Sequence, residues 1–140
     1  MHLQNLQIHK EIIRYLDKNL QTYVFGNGSI YVLALPSFPH SGIYFWWLFS
    51  HQNLDKYKII SFDLPGWIGE SDDYKKDEKY SIEDSVELAK TVINHYTNGP
   101  VNIFGYSFGA PIALKIAADW PKRILRLVFV SPVIHGNKLG

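Results

Sequence analysis

Five residues, Gly105-Tyr106-Ser107-Phe108-Gly109, restrict what this chain can fold into more than any other stretch. Before them, Val101, Ile103 and Phe104 follow the Asn98-Gly99-Pro100 break and read as a buried strand. After them, Ala110 onward is made of helix formers, with Ile112, Leu114, Ile116 and Ala117 on an apolar side and Pro121 as the stop. Pro111 fits a first helical turn, where its missing N–H loses no partner. A strand that turns this abruptly into a helix brings its flanking residues into contact, so glycine is expected at 105 and 109. The residue at the apex, Ser107, is expected in a strained conformation that lifts its hydroxyl away from the backbone. The start of the following helix adds unpaired N–H groups and a positive dipole end beside it.

The remaining segments alternate in type. Ile12–Leu16 and Leu20–Phe25 read as two strands around Asp17-Lys18-Asn19, a hairpin signal. Ile30–Leu35 is a continuous apolar run, expected of a strand covered on both faces, and leads into a loop at Pro36–Gly42. Ile43–Ser50 reads as a short helix and Lys58–Asp63 as the next strand. Asp72–Lys79, charged in both signs, reads as a solvated loop. Ser81 is the expected N-cap of a helix with Glu83 and Asp84 in its first turn and Ile82, Val86, Ala89, Ile93 and Tyr96 along one side. Ile124–Val130 is a final strand. Strands alternating with helices predict an α/β fold with a mostly parallel sheet, helices on both faces and an N-terminal β-hairpin.

Composition narrows the function classes. With 14 basic and 13 acidic residues the net charge is +1, which recommends neither nucleic acid nor an anionic membrane as partner. The absence of cysteine removes disulfides, thiolate metal sites and cysteine nucleophiles. His2, His9, His51 and His95 have no metal-ligand spacing, so neither metal nor cofactor is expected. The opening residues lack the pattern of a signal peptide and Ile43–Phe49 is too short to span a bilayer, so a cytoplasmic protein acting on a small molecule is expected.

Three motifs together resemble the N-terminal part of the α/β-hydrolase family, over nearly all 140 residues. Val32–Pro39 is similar to that family's third strand and oxyanion loop. Asp63-Leu64-Pro65-Gly66, with Gly69 and Ser71, resembles its Asp-x-Pro-Gly-x-Gly-x-Ser segment, and Gly105–Gly109 matches its nucleophile elbow. The resemblance implies that Ser107 is the nucleophile, and that the backbone N–H groups of Phe38 and Phe108 are the oxyanion donors, each contributing about 3 kcal/mol. His40, Tyr106 and Trp67 are candidate pocket residues. The same resemblance gives Asp63 a structural role, bonding loop N–H groups. The chain departs from the family at Pro36-Ser37, where His-Gly is usual, and by one extra residue at Trp67 or Ile68.

The family's acid and histidine follow the elbow in chain order. After Ser107 the sequence offers only Asp119, expected at the far end of the helix, and His135, expected in a loop. The chain therefore reads as a single partial domain, residues 1–140, lacking the strands that carry both groups and with little activity alone. Its expected chemistry is that of a carboxylesterase-like serine hydrolase acting on an ester or related bond of a small apolar substrate. The alternatives are a non-catalytic binding domain on the same fold, or acyl transfer, C–C bond hydrolysis or peroxidase-like chemistry.

Overall fold

A computed structural model describes residues 7–50, 54–75, 77–78 and 81–133. Nine elements follow one another there: β1 (Ile8–Tyr15), β2 (Lys18–Phe25), β3 (Ile30–Leu35), α1 (Tyr44–Phe49), β4 (Tyr57–Phe62), α2 (Ile82–Tyr96), β5 (Val101–Tyr106), α3 (Gly109–Asp119) and β6 (Ile124–Val130). The six strands form one sheet in the order β1-β2-β4-β3-β5-β6. β4, β3, β5 and β6 run parallel, β1 pairs antiparallel with β2, and β2 pairs antiparallel with β4. The mostly parallel α/β sheet and the leading hairpin predicted from the sequence are therefore present.

Alternation along the central strands divides the core in two. Leu33 and Leu35 of β3, Ile60 and Phe62 of β4 and Ile103 of β5 join Val86, Leu88, Val92, Ile112 and Ile116 of α2 and α3. Ala34, Ile59, Tyr23 and Phe25 face the other way and pack with Phe45 of α1. Each face removes large aliphatic and aromatic side chains from water, which is the main force holding the layers together. Among the described residues β6 is an outer strand, and Val128 and Val130 on it are exposed.

Two expectations need correction. The hairpin turn is Leu16-Asp17, not Asp17–Asn19, because Tyr15 pairs with Lys18 and Arg14 with Asn19. Leu16 is 80% exposed at φ 51°, so its apolar character marked the turn as strand. On α2, Leu88 and Val92 are also buried, because the helix packs against both the sheet and α3 and needs a wider apolar side. Its N-terminus is as expected: Ser81 and Asp84 form a reciprocal capping box.

The charged segment after β4 is, over its described residues, the mostly exposed loop expected, and it is also fastened to the hairpin. Lys18 is buried, with its Nζ 2.8 Å from Glu78 Oε2 and over the Tyr74 ring. The Asn19 N–H donates to Asp72 and the Asn19 carbonyl accepts from the Asp72 N–H, while Gln21 N–H donates to Ser71. Salt bridges and side-chain acceptors thus occupy the part of the β2 edge that β4 does not cover.

Candidate active site

The C-terminal ends of β3, β4 and β5 place three loops side by side. The tightest is the turn from β5 into α3. Ser107 sits there at φ 51°, in the left-handed region that residues with a Cβ avoid, and it is half-buried. Its N–H donates to Val130 O at 2.9 Å, and its carbonyl accepts from Ala110 at 3.1 Å and Val133 at 3.2 Å. The main chain on both sides therefore holds the strained residue in place.

The two glycines are needed for different reasons. A Cβ on Gly105 would lie 3.0 Å from Ala110 Cα, across the turn as expected from the sequence. A Cβ on Gly109 would lie 2.4 Å from Leu35 O, so that glycine lets α3 approach β3 rather than Gly105.

The loop after β3 is fixed by a buried carboxylate. Asp63, at the end of β4 and fully buried, accepts hydrogen bonds from the Tyr23 hydroxyl (2.7 Å), the Ser41 hydroxyl (2.5 Å), Gly42 N–H (2.8 Å) and Glu70 N–H (2.7 Å). Four donors replace the water this charge gave up on burial. Burial, and with it the neighbouring Asp63 carboxylate, pushes the Tyr23 phenol above its ordinary range, so it remains a donor. Asp63 thus ties together the loop after β3, the loop after β4 and β2, and all its carboxylate contacts among the described residues are structural ones. Gly69 is required beside it, because a Cβ there would sit 2.3 Å from the carboxyl carbon.

Phe38 lies in the loop so anchored and is 63% exposed, and Phe108 follows Ser107. Among the described residues no backbone carbonyl takes the N–H of either. The Trp67 ring packs against both, 5.2 Å from Phe38 and 5.7 Å from Phe108 between centroids.

A cavity of about 580 Å³ opens beside this turn, between the ends of β3, β5 and β6 and helix α1. His40 and Tyr106 line it with Phe45, Trp47, Phe104 and Val130, and Trp67 does not. Among the described residues no carboxylate, lysine or arginine lines it. The His40 Nδ1 is 2.9 Å from Ser37 Oγ and its ring packs edge-on against Tyr44, so the imidazole is engaged within its own loop.

Of the residues after the elbow, Asp119 pairs with Lys90 at 2.6 Å at the far end of α3. His135 lies outside the described residues, as do His2 and His51. Among the described residues no group of three or more His, Cys, Asp or Glu side chains could hold a metal ion, and no helix is long and apolar enough to cross a membrane. Sequence reasoning missed the pairing of Trp67 with both phenylalanines. The extra residue at 67 or 68 was the signal that this loop is built differently.

Residues 31–139 match the family described as alpha/beta hydrolase fold. The chain belongs to that family. It is 27% identical over 107 residues to epoxide hydrolase 4 of Mus musculus, covering 74% of this chain and 28% of the relative. It is 30% identical over 74 residues to a poly(3-hydroxyalkanoate) depolymerase of Ectopseudomonas oleovorans, covering 53% and 25%. Among solved structures, a thioesterase domain from the curacin biosynthetic pathway superposes with a TM-score of 0.86 at 20% identity, over 95% of this chain and 49% of that one. The chain therefore spans about a quarter of the length of these two curated relatives and about half of the solved domain.

Proposed function

We propose that this α/β-hydrolase chain carries the nucleophile and oxyanion site of a serine hydrolase that cleaves an ester or related acyl bond of a small apolar substrate. The observation that carries the reading is Ser107 held at φ 51° between β5 and α3. Such strain persists where surrounding structure enforces it, and it clusters at functional sites.

In this reading the Ser107 hydroxyl attacks the acyl carbon, and the resulting oxyanion accepts hydrogen bonds from the N–H groups of Phe38 and Phe108. The uncharged cavity beside the turn suits an apolar acyl or alcohol group, with His40 and Tyr106 at its wall. A serine hydroxyl needs a base to react at neutral pH, and that base and its orienting acid come from sequence outside the described residues. The names of the relatives, an epoxide hydrolase, a depolymerase and a thioesterase domain, support hydrolysis as the reaction class.

The test is labelling with a fluorophosphonate, with imidazole added as an external base in place of the one the described residues do not supply, followed by intact mass. One adduct per chain, absent in Ser107→Ala, is the expected result. A folded sample that stays unlabelled, or a Ser107→Ala variant that labels equally, overturns the proposal.

A further inference from the structure

We infer that Trp67 is a positioning residue, a spacer that sets the loop after β3 against the turn at Ser107 and so fixes how far apart the Phe38 and Phe108 N–H groups stand. The loop carrying Phe38 contains Pro36 and Pro39 and no glycine between Leu35 and Ser41, so it cannot readjust cheaply and takes its position from what it packs on. Two contacts from the neighbouring segment supply that position. Ile68 N–H donates to Pro39 O at 2.8 Å, and the Trp67 ring meets Phe38 edge-on with centroids 5.2 Å apart. The same ring also packs at 5.7 Å and 59° against Phe108, the residue that follows Ser107.

Trp67 is itself held. Its N–H donates to Leu64 O at 3.0 Å, and its ring is partly buried against the core between the sheet and α2 and α3. One aromatic side chain rooted in the core therefore touches both loops that bear a candidate oxyanion donor. Two donors aimed at one oxygen must both lie about 3 Å from it, so a shift of either loop weakens the pair. The ring is outside the cavity wall, which separates this role from substrate contact.

The kinetic half of this inference rests on the serine-hydrolase reading and the structural half does not, so the experiment has two arms. In the first, hydrogen exchange is followed at the His40 amide, which donates to Ser37 O within the loop, with the Leu88 amide of α2 as internal reference. Trp67→Ala is expected to speed exchange at His40 relative to Leu88 by about tenfold, the loss of two aromatic contacts, and Trp67→Phe to restore it to within about threefold. An unchanged ratio in Trp67→Ala overturns the spacer.

In the second arm, fluorophosphonate labelling of Ser107 is resolved into its saturation constant and its maximal rate. Trp67→Ala is expected to lower the maximal rate by about tenfold or more with little change in saturation, and Trp67→Phe to recover most of it. Faster exchange at His40 with an unchanged labelling rate shows that Trp67 only packs the loop, and overturns the positioning role. Should the wild-type chain take no label at all, the serine-hydrolase reading falls, while the exchange ratio still decides whether Trp67 sets the loop.

Discussion

The two sides of the candidate site are held by opposite kinds of force. On one side, the loops after β3 and β4 converge on a single buried carboxylate, Asp63, through four donors from three segments. On the other, the turn around Ser107 is held by main-chain contact, with Gly105 against Ala110 and Gly109 against Leu35. The polar side fails when a group is removed, and the close-packed side fails when one is added. The contrast follows from what each side must do. A loop of irregular backbone needs acceptors for its N–H groups, whereas the strand-to-helix turn is pressed against α3 and β3 and needs room.

Removal on the polar side should have the largest effect. Asp63→Ala leaves Gly42 N–H, Glu70 N–H and the hydroxyls of Tyr23 and Ser41 without their acceptor in a dry site. The expected loss is about 4 kcal/mol, most of the stability of a small domain. Urea denaturation checks it, and a loss below about 1 kcal/mol would show that the loops have other anchors.

Addition on the steric side comes next, and its two glycines grade the effect. Gly109→Ala drives a methyl to 2.4 Å from the Leu35 carbonyl, and backbone cannot step aside as a side chain can. About 3 kcal/mol is expected, against about 1 kcal/mol for Gly105→Ala, whose nearest contact is at 3.0 Å. Thermal unfolding of the two variants side by side measures the difference. Equal losses would mean that α3 slides along β3 to make room.

Partial removal at Asp63 should be milder. Ser41→Ala takes away one donor of four and leaves the two N–H bonds intact, for an expected loss of about 1.5 kcal/mol by urea denaturation. A loss equal to that of Asp63→Ala would show that Ser41, which also accepts from Ile43 N–H, organises the loop by itself.

The sequence carried the close-packed side better than the polar side. Glycine spacing and the change from strand to helical periodicity located the turn, because sterics act between near neighbours and leave a local pattern. Asp63 was legible only through its likeness to a family motif. Its donors come from residues 23, 41, 42 and 70, and nothing local in the sequence says that they meet. The same holds for Lys18, which joins the turn of the hairpin to Glu78 some sixty positions later, and for Trp67 against Phe38 and Phe108. Hydrophobic period shows which residues are buried and is silent on their partners. It placed β3 and β5 correctly and missed that β2 would add antiparallel to β4.

The smallest expected effect has the opposite sign. Ser107 at φ 51° bears a left-handed backbone with a Cβ attached, a strain of about 1.5 kcal/mol. Ser107→Gly relieves it, while the freer unfolded chain takes back about 1 kcal/mol, leaving a net gain of about 0.5 kcal/mol. Ser107→Ala keeps the Cβ and therefore the strain, so the two variants should separate in thermal unfolding although both lack the hydroxyl. A glycine variant more stable than the alanine variant means that the fold tolerates serine at the apex rather than needing it, as expected where a side chain is kept for chemistry. The reverse order would mean that the left-handed conformation at 107 costs a residue with a Cβ less than glycine adds to the entropy of the unfolded chain.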